Sequence, residues 1–151
     1  MSVVALADQV HSKSLPHLIN KMIVKRQDVL VLFNRLAALK PYTDATPVQS
    51  LLRQFCQDLM DYLALGHFEV YQSIAEAGDE PKCLSAKTLE HELYPYIANT
   101  TCALVAFNDR YDNDDHCKML TTLGDDLSHL GEDLADRIEW EDRVINTLLG
   151  T

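Results

Sequence analysis

Four stretches of this chain repeat apolar residues at steps of three and four, and none alternates apolar and polar residues for long. Such steps are the period of an α-helix with one buried stripe, whereas alternation is the mark of a half-buried strand. The chain is therefore expected to fold as helices that each hide one face. In the first pattern the stripe is Leu15, Leu18, Ile19, Met22, Val29, Phe33 and Leu36. Ser14 is a candidate N-cap with Pro16 in the first turn, and a short extra helix over 3–11 is allowed before it. Lys25, Arg26, Arg35 and Lys40 are read as decorating the other faces. Lys40-Pro41 ends this helix near Leu39, because a residue before proline avoids the α region.

The second pattern runs over 47–77 behind a Thr46-Pro47 cap, with Leu52, Cys56, Leu59, Leu63, His67, Val70 and Ile74 on its buried face. Gly66 interrupts it at a propensity cost of about 1 kcal/mol, which points to a close neighbour or a bend. After the turn-rich 78–84, Ser85 can cap a third helix to residue 111, and Pro95 predicts a kink or interruption inside it. The loop 112–115 leads to a fourth helix over 115–149. Its stripe is Leu120, Leu123, Leu127, Leu130, Leu134, Ile138, Ile145 and Leu148, and Gly150 is its stop. Amphipathic helices joined by short loops predict an all-α antiparallel four-helix bundle, as one domain over 1–151.

Several function classes are disfavoured. The formal net charge is −10, and 12 of the 23 acidic residues lie in 108–151. Phosphate contacts need lysine and arginine, so direct nucleic-acid binding is not expected. An acidic chain suits a basic protein partner instead. No apolar run approaches the roughly 18 residues that span a bilayer, and the first ten residues lack a basic leader. Cys56, Cys83, Cys102 and Cys117 are widely spaced with no CxxC pair, which fits reduced thiols in the cytoplasm. There is no Gly-x-Ser-x-Gly elbow or glycine-rich phosphate loop, and Cys117 beside His116 makes no convincing catalytic pair. No enzymatic activity and no cofactor are expected.

Two groups of residues depart from simple amphipathicity. His67 and Glu141 sit in register with buried apolar positions, and a buried carboxylate must be paired. Glu141 is expected to meet His67, Tyr62, Tyr71 or Arg137 inside the bundle. The alternative, a metal bundle around His67 and Glu141, lacks the repeated Glu-x-x-His motif of di-metal sites. Near His129 the carboxylates of Asp125 and Asp126 have usable spacing but read as solvent-facing. Separately, Asp61, Leu65 and Phe68 follow i, i+4, i+7 and share one helix stripe, with Asp58 and Gln72 nearby. An acid beside leucine and phenylalanine can dock a partner helix, unless neighbouring helices cover it.

The segment 55–71, FCQDLMDYLALGHFEVY, resembles the signature of the Rsd/AlgQ family, the regulators of sigma D. Its most specific part is Asp61, Tyr62, Leu63, Gly66, His67 and Phe68. The run from Val29 to Pro41, Pro95 in the third helix, and Leu130, Gly131, Glu132, Arg137, Glu141 and Asp142 are similar to the family as well. The resemblance covers roughly 15–149 and is weakest over 1–13, 41–46 and 78–85. It implies a cytoplasmic helical bundle that binds the C-terminal promoter-recognition domain of the primary sigma factor. Such binding limits association with core RNA polymerase and favours alternative sigma factors in stationary phase. Asp61 matches the acidic position implicated in sigma binding; Leu65 and Phe68 extend it by the stripe argument. The other reading of the chain is a helical adaptor that regulates a stringent-response or metabolic enzyme by direct contact.

Overall fold

The computed structural model describes residues 3–42, 45–112 and 120–150. Helix α1 spans Val3–Ala38, and α2 spans Ala45–Ala64. A π-helical turn, Leu65–Tyr71, continues α2 directly into the short α3, Gln72–Ala75. Helices α4, Pro81–Tyr111, and α5, Leu120–Leu149, complete the chain. No strand occurs among the described residues, and no described helix is long and apolar enough to cross a membrane.

Residue pairs between neighbouring rods fix their directions. Met22 lies beside Gly66 while Lys25 meets Asp58, so α1 and the α2 rod are antiparallel. Phe33 against Gly131 and Arg26 against Asp142 set α1 antiparallel to α5. Tyr111 with Asp126, and Arg137 with Thr100, do the same for α4 and α5. The result is an antiparallel helical bundle in which α1 packs chiefly on α2, and α4 on α5. Its core runs through Met22, Val29 and Leu36 of α1, Leu52, Phe55 and Leu59 of α2, Leu104 of α4, and Leu123 and Leu127 of α5. Phe33, Phe55 and Phe107 form an aromatic chain across α1, α2 and α4, with ring centroids 6.4 and 5.9 Å apart.

Several helix boundaries differ from the sequence pattern. There is no separate helix over 3–11 and no start at Ser14, since α1 passes through Pro16 unbroken. Proline already holds a helical φ, so the helical assignment runs on through it although it forfeits one ladder bond. Helix α4 likewise passes Pro95 without interruption. It starts four residues before Ser85, because Pro81 takes the first helical position behind an extended Glu80. The proposed cap over 112–115 and the start of the fourth helix fall largely in 113–119, outside the described residues, as does Cys117. Cys56 is buried, Cys83 half-buried and Cys102 exposed, all as free thiols. Burial pushes the Cys56 thiol up to about 12.

Two glycines make opposite predictions. A Cβ on Gly66 would rest 3.5 Å from Met22 Sδ and 3.5 Å from Tyr71, in ordinary contact. Gly66→Ala is therefore expected to stabilise the fold by about 0.5–1 kcal/mol, a few degrees of melting temperature. A Cβ on Gly131 would come within 2.8 Å of the Phe33 ring, which is held in the aromatic chain. Gly131→Ala is expected to lower stability by about 1–3 kcal/mol. Thermal melts of the two variants check both signs; equal shifts would contradict the packing described.

Candidate protein-binding site

Local backbone geometry decides what the second rod shows to solvent. Its buried line passes through Leu59, Tyr62, Leu63, Gly66, Val70 and Tyr71. Met22 and Tyr71 pack beside Gly66 at ordinary contact distance from where a Cβ would stand. The wider π turn then brings Tyr71, five residues on, under the same face. His67 is displaced from the buried stripe by this arrangement. It is exposed, its ring lies 4.8 Å edge-on from Phe68, and it takes no part in the polar core. That corrects the sequence expectation, which counted His67 forward from Leu63 with a uniform helical step.

Phe68 is the most exposed large apolar side chain described, at 66%. On one side of it lies a groove of about 490 Å³, lined by Asp61, Ala64, Leu65 and Glu69 with Lys21 and Lys25 of α1. On the other lies a groove of about 360 Å³ formed by His67, Tyr71, Gln72 and Ala75 with Glu90 and Tyr94 of α4. Asp61, Leu65 and Phe68 thus share one concave wall, with Leu65 half-buried between two exposed ends. Gln72 lies across the Phe68 ridge from them. Asp58 is mostly covered: Lys25 Nζ sits 3.5 Å from it and 3.8 Å from Asp61, whose side chain is 56% exposed. A surface pair of this kind is worth under about 1 kcal/mol and leaves Asp61 free to re-pair.

Behind this face lies a buried polar cluster. Glu141 is fully buried on α5, and the hydroxyls of Tyr62 and Tyr71 each donate to one of its carboxylate oxygens. Arg137 Nε lies 3.4 Å from Glu141 Oε2, and Arg26 approaches Oε1 at 3.5 Å. Arg137 Nη1 donates to Thr101 Oγ1 at 2.7 Å, Thr100 Oγ1 at 3.2 Å and the Ile97 carbonyl at 3.3 Å. Its guanidinium also lies 5.5 Å from the centre of the Tyr62 ring. Arg26 donates to Asp142 at 2.9 Å, so two cations face two carboxylates. Burial first, and the Glu141 charge second, push both phenols well above their ordinary range. They therefore stay protonated as donors. For Arg137, burial disfavours the charge, but Tyr71 and Glu141 more than offset it and its pKa rises.

Tyr62, Tyr71, Arg137 and Glu141 are thus in mutual contact, while His67 is not. Sequence reasoning missed Arg26 by placing it on an outer face. Its spacing, four after Met22 and three before Val29, puts it on the α1 stripe and would have revealed it. Glu90, Tyr94, Lys21 and Lys25 carried no comparable signal, because only tertiary packing brings α4 and α1 beside Phe68. Among the described residues no three His, Cys, Asp or Glu side chains converge as a metal ion would need.

Comparison with known proteins matches nearly the whole chain. A family model described as "Regulator of RNA polymerase sigma(70) subunit, Rsd/AlgQ" matches residues 6–149. A protein named "Regulator of sigma D" from Yersinia enterocolitica is 35% identical over 137 residues, covering 85% of this chain and 78% of its own. One of the same name from Yersinia pseudotuberculosis is 36% identical over 138 residues, covering 85% and 77%. Another from Sodalis glossinidius is 34% identical over 131 residues, covering 85% of each chain.

Proposed function

This chain belongs to the Rsd/AlgQ family of regulators of the RNA polymerase sigma(70) subunit, and from that premise we propose which surface it uses and what that surface grips. It acts as an anti-sigma regulator. It binds the C-terminal promoter-recognition domain of the primary sigma factor through Asp61, Leu65 and Phe68, with Asp58 and Gln72 at the margins, and so limits association with core polymerase. The observation that carries this reading is Phe68, two-thirds exposed on a ridge beside an exposed carboxylate, on the part of the chain most like the family signature. An exposed aromatic flanked by grooves is the form a binding anchor takes. A promoter-reading domain must itself present cations to phosphates, so Asp61 and Glu69 meet a basic surface.

Calorimetric titration with the full-length primary sigma factor, and with sigma lacking its C-terminal domain, tests this reading. Tight, salt-weakened binding by the first and none by the second is expected. Equal binding by both would move the contact elsewhere on sigma. Asp61→Ala is expected to weaken the complex about tenfold, or about 1.4 kcal/mol, and to flatten its salt dependence. The melting temperature should hardly move, because the free protein loses only an exposed ion pair. Parent-like affinity in Asp61→Ala would remove this residue from the interface.

A further inference from the structure

The groove on the far side of Phe68 has the chemistry of a site rather than of a simple contact rim. Phe68, His67 and Tyr94 surround it, and Tyr71 and Ala75 contribute to its wall. Glu90, one helical turn before Tyr94 on α4, places a half-buried carboxylate in the same space. Glu90 makes no ion pair with a lysine or arginine among the described residues. Burial raises its pKa, and the neighbouring His91 only partly opposes that. A half-buried acid lining a groove with aromatic rings, and without a cation partner there among the described residues, leaves its charge to be met by solvent or by a ligand. The group that satisfies both elements is a planar cation, which stacks on ring faces while its N–H fork meets a carboxylate. A lysine ammonium, strongly hydrated and without a plane, fits less well.

We propose that this groove receives one arginine side chain of the sigma factor, with Glu90 as its counter-ion and Phe68 and Tyr94 as its stacking walls. The inference rests on the sigma-binding reading above and extends the contact past the Phe68 ridge onto α4. Sharing Phe68 with the Asp61 groove makes the two sites one continuous surface, so a single partner straddles the ridge.

The test is titration of the full-length primary sigma factor with the parent chain, Glu90→Gln, Tyr94→Ala and Phe68→Ala, repeated with single Arg→Met variants across the sigma domain. Glu90→Gln is expected to weaken binding at least tenfold with an unchanged melting temperature. One sigma arginine should matter for the parent chain and not for Glu90→Gln, as a direct pair requires. If Glu90→Gln melts lower than the parent, Tyr94→Ala carries the same comparison. Parent-like affinity for Glu90→Gln beside weakened binding by Phe68→Ala would overturn the proposal and leave the sigma reading intact. So would weakened binding with no sigma arginine coupled to Glu90. Failure of the parent itself to bind sigma would take down the reading and this extension together.

Discussion

Glu141→Ala is expected to remove about 3–5 kcal/mol of stability, the largest effect of any single substitution considered. The carboxylate is fully buried, and its loss strands Arg137, which is 1% exposed and has Glu141 as its only close acidic partner among the described residues. The hydroxyls of Tyr62 and Tyr71 lose their acceptor in the same step. A domain of this size holds about 5–15 kcal/mol in total, so the variant should unfold well below the parent temperature. Denaturant unfolding followed by circular dichroism measures the difference. A midpoint indistinguishable from the parent would mean that the buried pair of Glu141 and Arg137 contributes nothing net to stability. A second variant separates charge from volume: Glu141→Leu combined with Arg137→Leu removes both buried charges. It should recover part of the loss, since apolar replacements of buried ion pairs are often tolerated.

Phe68→Ala is expected to weaken the sigma complex by about 2–4 kcal/mol, at least thirtyfold, while leaving the free bundle as stable as before. The side chain is two-thirds exposed, so little packing is lost without a partner. On binding it would be covered from two sides, because grooves of about 490 and 360 Å³ flank it. Its ring is rigid and spends little conformational entropy on ordering, which is why exposed aromatics concentrate binding energy. Titration of the variant with sigma, beside a thermal melt of the free protein, gives both halves. Unchanged affinity would place the interface on another face; a lower melting temperature would show that Phe68 supports the fold.

The helices were legible because apolar periodicity is a local property. The stripes of α1, α2 and the last helix emerged from residue spacing, and short connections implied antiparallel neighbours. Glu141 was legible for a related reason: a carboxylate in register with Leu134 and Ile145 must be buried or badly placed. Its tyrosine and arginine neighbours were named among the options. The failures came where local geometry departs from the uniform helix. His67 was assigned inward by counting from Leu63, and the π turn at Leu65–Tyr71 moved it out. Pro16 reads as the first turn of a helix capped by Ser14 and Pro95 as a kink or interruption, whereas each lies inside one continuous helix. The wall formed by Glu90 and Tyr94 was invisible, since nothing in the spacing of α4 says which rod it will lie against.

The π turn behaves like a dislocation in a crystal, a place where two regular lattices meet out of step. Upstream, α2 keeps its own registry of Leu52, Leu59 and Tyr62 toward the core; downstream, Ser73 and Ile74 keep theirs. Either half can accept substitutions on its own terms, but the chain length between them is fixed. Deleting one residue from this turn would close it from π to α spacing, since the two differ by about one residue per turn. Gly66 and Tyr71 would then no longer stand five residues apart under one face, and the donation from the Tyr71 hydroxyl to Glu141 is the contact at stake.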